Sequence, residues 1–206
     1  MEYGLFGIVS SLTATATFYP IDTLKTKKQA NLPIKFNKSL YRGIVPELLS
    51  CVPSSFVYWY TYQKCRENNF TTTESAFISC ATSNIVDTPF DIRKKRHQLG
   101  EQFLNKGNIY KYCFANVMSS IVYNLFYLNV LKKLKNDYKF NNWISIAGAS
   151  TVSSTMSYVF DKWKTNIIYP NKVSYFKGLS YRLLYGNLFS GLYMTVFLYL
   201  SDNKVI

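Results

Sequence analysis

The sequence has four cysteines, Cys51, Cys65, Cys80 and Cys113, and no two of them form a CxxC pair. That spacing excludes the usual zinc frameworks and implies no disulfide scaffold, so the four read as reduced packing residues. The single histidine, His97, lies among Arg93, Lys94, Lys95 and Arg96 without partners for metal or catalytic work, and reads as an exposed loop residue. There is no Ser-His-Asp set, no glycine-rich phosphate loop and no catalytic carboxylate pair. An enzyme is not expected, and neither a cofactor nor a metal is implied. The start, Met1-Glu2-Tyr3-Gly4-Leu5-Phe6, lacks the basic flank of a secretory signal, although Ala14-Thr15-Ala16 mimics a cleavage site. No stretch is a purely apolar run of the ~20 residues that a lone spanning helix needs. Acids are scarce: 11 Asp and Glu stand against 24 Lys and Arg, for a net charge of +13.

What is present is more informative. The chain has 206 residues, 48% of them hydrophobic, enough for a single packed domain over residues 1–206. Its mean hydropathy of −0.05 is high for so basic a chain, so apolar residues and cations must be segregated along it. The charge calls for an anionic partner: an acidic solute, an anionic lipid surface or nucleic acid. Its 18 tyrosines and 15 phenylalanines suit a membrane interface and equally suit stacking on bases.

The chain repeats itself. Pro20-Ile21-Asp22-Thr23-Leu24-Lys25 aligns with Pro89-Phe90-Asp91-Ile92-Arg93-Lys94 and with Val159-Phe160-Asp161-Lys162-Trp163-Lys164, at offsets of 69 and 70 residues. Gln29 and Gln98 stand four residues after the lysine in two copies, where the third has Ile168. A second element follows each first one: Tyr41-Arg42-Gly43, Tyr110-Lys111-Tyr112 and Phe176-Lys177-Gly178. Repeats of approximately 1–70, 71–140 and 141–206 result. Six apolar stretches flank these anchors, at 3–19, 44–62, 75–88, 113–131, 143–158 and 179–200. Small residues recur four apart in the odd ones (Gly7, Ser11, Thr15; Ser75, Ser79, Ser83; Ala149, Ser153, Ser157), as where helices approach closely in lipid. A polar face along Asn116, Ser119, Ser120, Asn124 and Asn129 suits a helix lining water. The three connections 20–43, 89–112 and 159–178 hold 16 of the 24 cations. The other cations include Lys132 to Lys135 and Lys204. Positive charge marks the inner side of a membrane protein, so both termini are expected on the outer side.

These residues resemble the mitochondrial carrier family, whose signature is Pro-x-Asp/Glu-x-x-Lys/Arg followed by an aromatic-basic-Gly element. The resemblance implies an all-α membrane protein of six transmembrane helices in three tandem helix pairs, a pseudo-threefold bundle around a central cavity. The block Pro20 to Thr26 leans toward the S-adenosylmethionine carrier branch. By the resemblance, Pro20 and Pro89 kink their helices. Asp22, Asp91 and Asp161 meet Lys94, Lys164 and Lys25 in an inner (matrix) gate, braced by Gln29 and Gln98. A buried ring of this kind is stable closed and costly to open. Solute contacts are expected at Ser50, Ser119, Ser120 and Tyr185, with Glu47, Arg182 and Asp87 as further candidates. Anionic lipid, cardiolipin above all, is expected at Arg42, Gly43, Lys111, Lys177 and Gly178.

The departures from the pattern are Val159 for proline, Tyr112 for glycine, and an outer end where Gln63, Lys132 and Phe197 replace the family's acids. Arg66 and Lys135 keep the bases there, so the second ion-pair ring of the family cannot form. The function expected is transport of a small polar solute, nucleotide-like or S-adenosylmethionine-like, across the mitochondrial inner membrane by a monomer. Two alternatives stand beside it: a non-transporting carrier scaffold, and a nucleic-acid-binding protein using Arg93 to Arg96 and Lys132 to Lys135. The repeats and the segregated apolar stretches disfavour nucleic acid as a partner.

Overall fold

A computed structural model of the chain describes residues 2–34, 38–100, 107–136, 138–139, 141–169 and 176–203. Lys35, Lys106, Lys172 and Lys204 lie outside the described residues. Among the described residues there are six long α-helices, one short 3-10 turn and no strand. The helices are α1 (Glu2–Gln29), α2 (Ile44–Glu67), α3 (Thr72–Leu99), α4 (Gly107–Asn136), α5 (Asn142–Ile168) and α6 (Leu179–Asn203). The turn, Lys38–Tyr41, leads into α2.

Local chemistry sets several of these ends. A capping box opens α3: Thr71 Oγ1 accepts the Glu74 N–H at 3.3 Å, and the Glu74 carboxylate accepts the Thr71 N–H at 2.8 Å. Gly100 ends it in the left-handed region at φ 79°. The Asn141 side chain caps α5 by accepting the Trp143 N–H at 3.3 Å. Gly43 enters α2 at φ 88°, a conformation that costs a side chain dearly.

The helices outrun the apolar stretches. Helices α1, α3 and α5 continue past residues 19, 88 and 158 to Gln29, Leu99 and Ile168, so much of the charged connections is helical. Pro20 and Pro89 sit inside continuous helices. His97 is exposed as expected, but on the last turn of α3 and not in a loop. The cationic run beside it is split as well: Lys94 and Lys95 are buried while Arg93 is exposed. That run therefore presents no continuous basic surface to a phosphate backbone.

Each helix packs against its neighbours in sequence, and α6 returns to α1, closing a ring of helices. Helices α1, α3 and α5 also touch one another. Ala30, Ile92, Leu99, Tyr112 and Ile168 form a buried apolar cluster where α1, α3 and α5 end. The interior is otherwise inverted relative to a water-soluble protein: more polar than apolar residues are buried, while Leu5, Val45, Leu49, Phe56, Ile85 and Ile144 point outward. Buried hydroxyls satisfy themselves on their own helices, Ser10 on Phe6 O at 2.7 Å, Ser79 on Ser75 O at 2.7 Å and Ser153 on Ala149 O at 2.6 Å. This leaves small surfaces over which helices approach closely. Among the described residues three helices are long and apolar enough to cross a membrane on length and composition: Gly4–Gln29, Ile109–Asn136 and Leu179–Leu200.

A Cβ at Gly43 would lie 2.7 Å from the Lys94 carbonyl oxygen and 2.9 Å from the Tyr19 hydroxyl, on top of its positive φ. Gly43→Ala should therefore destabilise the protein by about 1–3 kcal/mol, read as a lower midpoint in thermal unfolding of the detergent-solubilised chain. An unchanged midpoint would mean that the α2 entry is free to move.

Candidate functional site

The ends of α1, α3 and α5 bring three aspartates and four lysines into one buried cluster. Lys94 lies 2.9 Å from Asp22, Lys164 lies 3.2 Å from Asp91, and Lys25 lies 3.6 Å from Asp161. Each pair joins two different helices, so the three together form a ring. Lys25 also meets Asp22 on its own helix at 2.8 Å. All six residues are buried. The spacing explains the geometry: Asp and Lys three apart share one face of a helix, and that face points to the bundle axis.

Gln29 and Gln98 lie under two of the three pairs. Gln29 donates to Asp161 at 2.9 Å and accepts from Thr165 Oγ1 at 2.8 Å. Gln98 donates to Asp22 at 3.3 Å and to Tyr19 at 3.2 Å. Ile168 occupies the corresponding place on α5 and can donate nothing to Asp91. Tyr112 does so from α4: its hydroxyl donates to Asp91 Oδ2 at 2.7 Å. Two departures from the sequence pattern, the missing glutamine and the missing glycine, thus meet at one hydrogen bond. The residue before the motif is Thr88 on α3, where α1 and α5 have Tyr19 and Tyr158.

Lys95 was not anticipated as a member. It lies 2% exposed, donates to Thr165 Oγ1 at 3.1 Å and stands 3.9 Å from Asp161. Lys162, equally buried, donates to the Gln29 carbonyl oxygen. The only sequence signal for either was a lysine beside a motif residue.

Above the ring lies a cavity of about 680 Å³. It is lined by all seven of the expected solute contacts: Ser50, Ser119, Ser120, Tyr185, Glu47, Arg182 and Asp87. Aromatic columns face it, Phe189, Tyr193 and Phe197 stacked along α6 with Tyr185 tilted 35° to Phe189, and Tyr123 on Tyr127 along α4. Three lining residues also reach the ring. Glu47 bonds Lys94 at 2.8 Å, Arg182 stands 3.9 Å from Asp161, and Lys25 sits 5.2 Å over the Tyr185 ring. Among the described residues no cluster of metal-binding side chains occurs.

The lipid candidates lie at the starts of the even helices. Arg42 and Lys111 are exposed, Gly43 and Gly178 take positive φ, and Lys177 donates to Asn31 Oδ1. Tyr19 and Tyr158 fasten two of these starts by donating to Arg42 O at 2.8 Å and Lys177 O at 2.6 Å. At the opposite end, Phe197 stacks on Trp59 with centroids 5.4 Å apart and meets Phe6 edge-on at 6.5 Å. Arg66 donates to the Phe70 carbonyl oxygen at 2.7 Å, and the ion pair found there, Lys64 with Glu67 at 2.8 Å, is local to α2.

No protein-family model matches the chain. It is similar to mitochondrial carriers at low identity. The mitochondrial thiamine pyrophosphate carrier 1 of Candida albicans is 28% identical over 117 residues, covering 46% of this chain and 39% of that protein. A mitochondrial glutathione transporter of Danio rerio is 26% identical over 118 residues, 45% of this chain and 33% of its own length. The solute carrier family 25 protein Shawn of Drosophila melanogaster is 26% identical over 128 residues, 50% of this chain and 33% of its own. The matches thus span well under half the length of these relatives. None of the three is named as an S-adenosylmethionine carrier.

Tyr112→Phe removes one buried hydrogen bond to a carboxylate and should cost about 1.5–3 kcal/mol, seen as a lower unfolding midpoint. Adding Ile168→Gln, an amide placed as Gln29 and Gln98 are, should recover part of the loss. A Tyr112→Phe variant as stable as the parent would show that Asp91 does not depend on that hydroxyl.

Proposed function

We infer that the chain is a solute carrier of the mitochondrial inner membrane, moving a small polar solute by exposing one central site to each side in turn. The observation that carries this reading is the closed ring of three inter-helix Asp–Lys pairs directly beneath a cavity lined by polar and aromatic side chains. A charge drawn out of such a ring into a low-dielectric interior is costly, so the closed form is a stable state. Solute bound above the ring must supply the difference that makes opening possible. Glu47, Arg182 and Tyr185 are placed to transmit it, since each touches both the cavity and a ring member.

In this reading all six helices cross the membrane as three tandem pairs. The basic connections face the matrix, where cardiolipin meets Arg42, Gly43, Lys111, Lys177 and Gly178. The working unit is a monomer. The cavity holds one base, Arg182, against two acids, Glu47 and Asp87, which disfavours a polyphosphate such as a nucleotide. An S-adenosylmethionine-like cargo fits the charges better, and the Pro20 to Thr26 block leans the same way. One observation favours the alternative of a non-transporting scaffold: the outer end carries an aromatic contact, Phe197 on Trp59, where carriers place an acid.

Reconstitution into cardiolipin-containing vesicles tests the reading. Wild-type protein should exchange a radiolabelled solute from a panel of nucleotides, amino acids, carboxylates and S-adenosylmethionine. Reversing one ring charge, Asp91→Lys, should destabilise the protein by about 3–5 kcal/mol and abolish exchange. Asp91→Lys with Lys164→Asp should restore part of both. Well-folded protein that exchanges nothing in the panel would support the scaffold.

A further inference from the structure

We propose that the cargo presents a zwitterionic head, an ammonium and a carboxylate on one small centre as in an α-amino acid, and that this head loosens the ring by acting on Glu47 and Arg182 together. The inference rests on the transport reading above and specifies the cargo class of that same site.

Glu47, Asn116 and Arg182 each stand six residues after an aromatic that opens a repeat element, Tyr41, Tyr110 and Phe176. Each of the three contacts the ring from an even helix. Glu47 Oε1 lies 2.8 Å from Lys94 Nζ, Asn116 Oδ1 accepts from Lys164 Nζ at 2.8 Å, and Arg182 Nη1 lies 3.9 Å from Asp161 Oδ2. Matching positions on α2, α4 and α6 therefore carry an acid, an amide and a base. The acid and the base line the cavity; the amide does not.

Both charged members are held so that a ligand can compete for them. Lys94 shares itself between Glu47 and Asp22, so it stays paired with Asp22, 2.9 Å away, when an ammonium takes Glu47. Arg182 is poorly satisfied: Nη2 donates to Ser157 at 3.3 Å, Nη1 is at the limit of pairing with Asp161, and Nε is buried with no hydrogen-bond partner. A planar guanidinium with idle donors is a ready carboxylate site. A head that bonds both removes one stabilising charge from Lys94 and one from Asp161, on two different inter-helix pairs. An anion alone releases only Asp161, and a cation alone only Lys94.

Charge balance points the same way. The groups that pair in the ring or line the cavity are five acids (Asp22, Glu47, Asp87, Asp91, Asp161) and five bases (Lys25, Lys94, Lys95, Lys164, Arg182), with Lys162 buried beside them on the Gln29 carbonyl oxygen. A neutral zwitterion enters without disturbing that formal balance, whereas a polyanion or polycation leaves buried charge uncompensated. Beyond the head, the faces of Tyr185, Phe189 and Tyr193 offer a stacking wall for a flat or apolar side group.

The test is a thermal-shift and binding screen of the full chain, purified in detergent with cardiolipin. The probes are the common α-amino acids, S-adenosylmethionine and glutathione, with citrate and ADP as polyanions. Each stabilising compound is followed by its two half-molecules, the amine without the carboxylate and the acid without the amine. The expected result is stabilisation by a zwitterion and binding ~10-fold or more weaker for either half. Glu47→Gln and Arg182→Gln should each weaken the zwitterion by a similar factor, Glu47→Gln sparing the acid half and Arg182→Gln sparing the amine half. This crossed pattern separates ligand contact from general damage to the fold. Stabilisation by citrate or ADP, or by one half as strongly as by the whole, overturns the zwitterion while leaving the transport reading in place. No stabilisation by any probe, with no exchange in vesicles, overturns both.

Discussion

Ionised side chains taken out of water must find partners, and this requirement organises the inner end of the bundle. Three aspartates and four lysines are buried there among the tips of three helices. Each ring lysine lies within 4 Å of the aspartate three residues before it and of the aspartate on another helix, so every charge is shared between helices. Helices α1, α3 and α5 converge to share them, and they extend beyond their apolar stretches to bring the charges to one level. Gln29, Gln98 and Tyr112 then hold the carboxylates in place.

The same requirement makes the site above responsive. A cluster whose charges are all shared cannot yield one partner without changing the energy of the rest. Because Glu47 and Arg182 belong both to the cavity wall and to the cluster, the proposed coupling of cavity to helix tips requires no long-range relay. The coupling needs no wire, only residues that belong to two environments at once.

Much of this was legible in the sequence, for a definite reason. Asp22, Asp91 and Asp161 recur at nearly constant offsets with a lysine three residues on, and a repeated spacing of charged residues in apolar surroundings has few other uses. Ser50, Ser119, Ser120 and Tyr185 were placed by what the family resemblance implies about positions after Tyr41, Tyr110 and Phe176, and they line the cavity. Lys95, Lys162 and Tyr112 were not legible in their roles. A lysine next to a motif lysine looks like one more surface cation, and only the direction of its side chain on a packed helix shows that Lys95 is buried. Tyr112 read as a lost glycine because its partner, Asp91, is distant in sequence and its function compensates for a residue absent at Ile168. His97 was misplaced into a loop because a run of four neighbouring cations suggests solvent, whereas α3 continues through it to Leu99.

The outer contact of Phe197 with Trp59 and Phe6 and the ion-pair ring at the other end respond to temperature by different routes. Aromatic burial loses strength on cooling, as apolar hydration becomes less unfavourable. The penalty for dehydrating charges falls as temperature rises, so the ion-pair end gains from warmth by a different route. Salt, too, acts on one end only: it excludes apolar surface from solvent but finds little access to a buried ring. The balance between the two ends is therefore a property of the surroundings as much as of the chain.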